Sequence, residues 1–95
     1  MPFQAEKRPY NRKDVMAFPG FKPGVYAIFK DSTVLFVGNS GDIKARMLRH
    51  VNGDNPNLTA NEPNFWTAEV MAGAGQTNIE ARQKALIDEF KPVFN

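Results

Sequence analysis

The stretch that most limits what this chain can become is residues 24–50, GVYAIFKDSTVLFVGNSGDIKARMLRH. Two runs rich in β-branched and aromatic residues, Gly24 to Phe29 and Thr33 to Val37, flank the turn-forming Lys30-Asp31-Ser32 and predict a hairpin. The second strand is expected to stop at Gly38, with Ser40 as the N-cap of a helix. Along that helix Ile43, Met47, Leu48 and Val51 recur at helical spacing, while Asp42, Arg46, Arg49 and His50 fall largely on the other side. A hairpin therefore feeds a helix whose polar side presents two arginines and the sole histidine. Because a guanidinium fork matches a phosphate, the stretch reads as a phosphodiester site.

The remaining sequence sets the frame around that unit. Ninety-five residues fill one domain, and 42% hydrophobic with 23% charged residues is the balance of a globular chain. No apolar run approaches the ~20 residues of a membrane span, and no signal-peptide pattern opens the chain. The absence of cysteine excludes disulfides and thiolate metal sites, which fits a cytoplasmic setting. The net charge is only +2, but it is unevenly placed. Residues 1–30 hold Lys7, Arg8, Arg12, Lys13, Lys22 and Lys30 against Glu6 and Asp14, whereas acids outnumber bases beyond them. A basic N-terminal third suits a nucleic-acid backbone, and equally a merely solvated arm.

Residues 1–22 are expected to form this basic arm, extended through residue 12 and pinned by Phe3 and Tyr10. Asn11 is placed to cap a short helical turn that ends near Pro19-Gly20. Residues 52–64, NGDNPNLTANEPN, read as a loop. Residues 65–71 alternate as a third strand whose Trp66 suits core packing better than base stacking. The last helix is expected to start at Thr77, with Thr77 and Glu80 as a capping box. Ile79, Leu86, Ile87 and Phe90 supply its apolar stripe. Gln83 falls in the middle of that stripe, where an unpaired amide would cost ~1–3 kcal/mol.

Gly24-Val25-Tyr26, then Phe36-Val37-Gly38, then Arg46 and His50 on the following helix resemble the GIY-YIG nuclease domain. The ending, Ala85-Leu86-Ile87 through Lys91-Pro92-Val93-Phe94-Asn95, is similar to the family's C-terminal helix and terminal asparagine. The resemblance covers residues 23–95. It implies a small α/β (α+β) domain with a short, mostly antiparallel three-stranded sheet flanked by helices. It also implies a DNA endonuclease of repair or restriction type that hydrolyses a phosphodiester with one divalent metal, Mg2+ or Mn2+. On this resemblance the catalytic positions are Tyr26, Phe36, Gly38, Arg46, His50, Gln83 and Asn95. Asn39, Lys44, Arg49, Arg12 and Lys13 are the expected nucleic-acid contacts.

Three positions depart from the family pattern. Phe36 replaces the second tyrosine and lacks its hydroxyl, and Asn39 stands where a basic residue is common. Gln83 occupies the position of the metal-binding glutamate, and an amide oxygen holds a hard cation less well than a carboxylate. Glu80, one turn earlier, is the substitute metal ligand if it is not a cap, with Glu69 a further candidate. Two functions stand as expectations: a nuclease with a modified, weakened site, or a catalytically inactive relative that binds nucleic acid or a protein partner.

Overall fold

The computed structural model describes residues 7–94. Its centre is the predicted hairpin, β2 (Gly24–Lys30) against β3 (Thr33–Ser40), antiparallel with Tyr26 opposite Gly38 and Ile28 opposite Phe36. On the other side of β2 lies β4 (Phe65–Val70), also antiparallel, with Ala68 opposite Tyr26. A two-residue strand, β1 (Arg8–Pro9), pairs with β4, so the described sheet has four strands in the order β1-β4-β2-β3 rather than the expected three. Two residues containing a proline leave no alternation to read, and this edge strand therefore had no sequence signature. Phe3 lies outside the described residues; Tyr10 is half-buried against the core.

Each face of the sheet carries its own apolar cluster. One face packs Tyr26, Ile28, Leu35, Trp66 and Ala68 against Val15 and Phe18, against Ile43 and Met47, and against Leu58. Those residues come from α1 (Arg12–Ala17) and the residue after it, from α2 (Ile43–Val51), and from α3 (Pro56–Ala60). A bulge where Ile28 gives way to Phe29 opposes two β2 residues to three on β3. It brings neighbouring Leu35 and Phe36 to this same face. Trp66 is fully buried, edge-on to Phe18, and its indole N–H donates to Asp14 Oδ2 at 3.1 Å. The opposite face packs Val25, Ala27, Phe29, Val34 and Val37 under Ile79 and Leu86 of α4 (Gln76–Phe90), with Ile87 and Phe90 at the margin. Burying such side chains contributes roughly 1.5–3 kcal/mol each.

The helix ends correct several expectations. Asn11 caps α1 as expected, its side chain accepting from the Asp14 N–H at 2.7 Å. Ser40 does not cap α2; β3 runs on through it, and Asp42 is the cap, accepting from the Ala45 N–H at 3.2 Å. The Ser40 hydroxyl instead braces Asp42, meeting its N–H and its carbonyl at 3.0 Å each. Residues 52–64 are not all loop: Asn55 accepts from the Leu58 N–H, Pro56 opens α3, and Leu58 is buried. An Asn-Pro pair signals a turn, but it is equally an N-cap followed by a first helical residue needing no donor. The capping box on α4 does not form. The helix starts one residue earlier, after Gly75, and makes no side-chain cap bond.

Two ties place α4 and the short tail beyond it. Arg82 grips Glu69 of β4 in a two-pronged ion pair, Nε to Oε2 at 2.9 Å and a terminal nitrogen to Oε1 at 2.6 Å. Glu69 is thereby committed to holding the helix on the sheet. Past α4, the Val93 and Phe94 N–H groups donate to the Val34 and Leu35 carbonyls on the outer edge of β3.

Candidate active site

Tyr26, Phe36 and His50 form a three-ring cluster on the α2 face. Strand pairing sets Tyr26 beside Gly38, and a Cβ added at Gly38 would lie 2.5 Å from the tyrosine oxygen and 2.9 Å from the Phe36 ring. A hydrogen at that position lets the Tyr26 ring lie across β3 and reach α2. There its hydroxyl meets His50 Nε2 at 2.9 Å. Phe36 closes the cluster, its ring centre 6.1 Å from Tyr26 and 5.5 Å from His50. His50 is only 6% exposed, so it belongs with Ile43 and Met47 on the inward side of α2, not on the polar side expected from its chemistry. A buried imidazole is tolerable here because the Tyr26 hydroxyl gives it a partner.

The second ring nitrogen, Nδ1, lies 3.2 Å from Asp54 Oδ1 without the alignment of a hydrogen bond. Since a carboxylate can only accept, it favours the tautomer with the proton on Nδ1, and Nε2 then accepts from Tyr26. Burial holds His50 below its ordinary pKa, and Arg46 adds to this while Asp54 opposes it. Burial pushes Tyr26 well above its ordinary value, and Arg46 is the nearby charge that pulls it back. Tyr10, behind the cluster, is pushed up to about 12 by burial and then by Asp54, and its buried hydroxyl has no partner among the described residues. At neutral pH the pair is thus a phenol donating to a neutral imidazole. Arg46, exposed and one turn before His50 on α2, is the cation whose field reaches both.

The α4 face carries a different set. Gln83 is half-buried, donates to the Val37 carbonyl at 3.4 Å, and accepts from Asn39 Nδ2. Gln76 donates to Asn39 Oδ1 at 3.3 Å and to Glu80 Oε2 at 3.1 Å. Val37 packs under α4 and Asn39 shares its face by alternation. The position expected for the metal glutamate is therefore part of a chain of amides at the β3 edge, while Tyr26 and His50 lie across the sheet. Glu80, freed from the capping role, is the one carboxylate in this chain. No group of three or more histidine, acidic or cysteine side chains able to hold a metal occurs among the described residues. This donor set does not fit a divalent cation. The Asn39 and Gln83 amide oxygens already accept N–H groups, and hard cations prefer several anionic oxygens.

Of the other positions expected to matter, Arg49 and Lys13 are exposed, Lys44 is half-buried, and Arg12 donates to Asn52 Oδ1 at 3.4 Å. Asn95 lies outside the described residues. Asp54 and Gln76 were missed. Asp54 follows His50 at i+4 but lies past Gly53, where the helical count stops. Gln76 was hidden by starting α4 one residue late; counted from Gln76, it shares a helical face with Glu80 and Gln83.

No family model matches the sequence, and neither does any curated protein. Solved structures do. The GIY-YIG N-terminal endonuclease domain of UvrC from Thermotoga maritima, bound to its catalytic magnesium, superposes with a TM-score of 0.75 at 17% identity. The match covers 88% of this chain and 93% of that one. A tyrosine-to-phenylalanine mutant of that domain (19% identity, TM-score 0.75, 88% and 93% covered) and an asparagine-to-alanine mutant (16%, 0.75, 88% and 92%) agree, each bound to its catalytic divalent cation. With the hairpin, the arginine helix and the closing helix in the same arrangement, this chain has the GIY-YIG endonuclease-domain fold.

Proposed function

We propose that this chain acts on DNA as a GIY-YIG-type phosphodiester hydrolase with a weakened site. One observation supports this above the others: the Tyr26 hydroxyl, 2.9 Å from a buried neutral His50, beside the charge of Arg46. An attacking water would give a proton to the Tyr26 oxygen as the Tyr26 proton passes to His50 Nε2. The imidazolium formed lies next to the Asp54 carboxylate, which stabilises it. Arg46 supplies the fixed positive charge for the negative charge that develops on phosphorus oxygens. Phe36 and Gly38 hold the tyrosine in place. Arg49, Lys44, Arg12 and Lys13 contact neighbouring phosphates, and residues 1–22 add positive charge to the unit formed by residues 23–95. The solved relatives hold a divalent cation, but the amides around Gln83 give no reason to route a step through one here.

The second reading, a catalytically silent domain that binds nucleic acid, is favoured by that same amide chain. Incubation with supercoiled plasmid in Mg2+ or Mn2+ separates the two. Slow nicking by the wild-type chain, abolished by Tyr26→Phe, supports the hydrolase. Salt-sensitive binding without nicking supports the silent reading. No binding at low salt removes nucleic acid from both.

A further inference from the structure

The connection from α1 to β2 contains a feature that neither the core nor the active site uses. Phe21 is 88% exposed, far more than the other exposed large apolar side chains, Met16 (47%), Val70 (47%) and Val93 (58%). Its φ of +60° lies in the left-handed region, where a bulky side chain crowds its own backbone. The backbone is held there by bonds to the start of α2. The Phe21 N–H donates to Asp42 Oδ1 at 3.3 Å, and the Lys22 carbonyl accepts from the Ile43 N–H at 3.0 Å. The ring is therefore presented by an anchored backbone, although among the described residues it is left almost fully exposed. Strain and apolar exposure at one residue call for a use outside the fold.

The surroundings indicate the ligand. Phe21 borders a groove of 270 Å3 formed with Gly20, Asp42, Lys44, Ala45 and Leu48. Asp42, the one carboxylate in that lining, is already engaged by the Phe21 and Ala45 N–H groups. Lys44 is in the lining and Lys22 is adjacent in sequence, with Arg49 one turn beyond Ala45 on α2. An exposed π-face with one cation in the same groove and another adjacent in sequence is the combination that takes a nucleobase and its flanking phosphates. The groove is too small for a run of apolar peptide anchors, and its cations favour a polyanion.

We infer that Phe21 is a stacking platform for one unpaired base, with Lys22 and Lys44 contacting the phosphates on either side of it. This deepens the nucleic-acid reading and rests on it. The platform gives the site a preference for single-stranded or frayed DNA over continuous duplex.

Fluorescence anisotropy at low salt, with a labelled oligothymidylate of about twelve nucleotides and a fully paired duplex, tests this. The wild-type chain is expected to favour the single strand. Phe21→Ala should weaken single-strand binding about tenfold and leave duplex binding unchanged. Phe21→Trp should retain affinity and show fluorescence quenching on binding, against the constant signal of buried Trp66. An abasic position at the stacked nucleotide should cost affinity in the wild type and nothing in Phe21→Ala. Equal single-strand affinity of wild type and Phe21→Ala overturns the platform while leaving the nucleic-acid reading intact. Failure of the wild type to bind either probe overturns that parent reading. A dimer that Phe21→Ala dissolves, with DNA binding unaltered, would make Phe21 a protein contact and overturn the platform as well.

Discussion

The two faces of the central sheet have been treated differently. On the α2 face, Tyr26, Gly38, Arg46 and His50 stand together, and only Phe36 lacks a hydroxyl that the family resemblance implies. On the α4 face, the residue expected to be a metal ligand is an amide, bonded to another amide and to a backbone carbonyl. Phe36 apart, the α2 face thus keeps the residue types that the resemblance implies, whereas the α4 face has an amide where it implies a carboxylate. The contrast is one of packing: Tyr26 and His50 are part of the core, whereas Gln83 is half-buried at the sheet margin. Tyr26 and His50 are buried in packing, so replacing either disturbs the core itself. Glu80 and Gln76, beside Gln83 on α4, are exposed, so substitution there leaves the core intact.

The largest expected effect is on the α2 face. Tyr26→Phe should lower any DNA cleavage by about 10²–10⁴-fold, the usual worth of a positioned proton-transfer group. Rates unchanged in a single-turnover assay would break the comparison, because the preserved half would then not be the active half. Next, Gly38→Ala should cost about 1–3 kcal/mol in urea unfolding, since its methyl group meets the Tyr26 ring inside a filled core. It should also separate Tyr26 from His50, visible as a shifted His50 imidazole resonance; a neutral effect on both would contradict the packing described.

Gln83→Glu sharpens the other half. The side chain is nearly the same size, but a carboxylate cannot donate to the Val37 carbonyl, so a loss of about 1 kcal/mol is expected. With Mn2+ added, the variant should bind the ion measurably by calorimetry and nick plasmid faster than wild type. Binding with no gain in nicking would assign the groove to recognition alone. The smallest effect is a pH slope. Because the folded His50 pKa lies below its ordinary 6.5, the unfolded chain takes up that proton first as pH falls. The stability contribution is complete above about 6.5 and declines below it toward the folded pKa. In thermal melts from pH 7.5 to 5, His50→Gln should flatten the decline; an identical slope would mean His50 is not buried as neutral imidazole.

Much of the frame was legible because its signals are local. The two long strands of the hairpin and β4 announced themselves by β-branched and aromatic runs, and α2 and α4 by apolar spacing. The illegible parts depended on distant partners. His50 looked like a surface residue by type, and only Tyr26, twenty-four positions earlier, makes its burial tolerable. Thr77 and Glu80 had cap spacing, but the positive φ of Gly75 lets the helix begin before them. Ser40 and Asp42 are both good caps, and the choice was decided by β3 running two residues past Gly38. At the site, the motif positions were visible one by one, whereas the chain Gln76–Asn39–Gln83 needs β3 and α4 side by side.

The margins of the sheet have a consequence for how the chain behaves among its own copies. An open strand edge is a template on which another chain can add, and both edges here are blunted. The β1 edge is two residues long and includes Pro9, which has no N–H to offer. On the β3 edge, the carbonyls of Val34 and Leu35 are taken by the residues after α4, and Gln83 donates to that of Val37. The amide at position 83 therefore covers a backbone carbonyl that a carboxylate could not. Gln83→Glu withdraws one donor from the rim and loosens the cover against strand addition. A substitution made at position 83 to test the site is therefore also a substitution at the margin of the sheet.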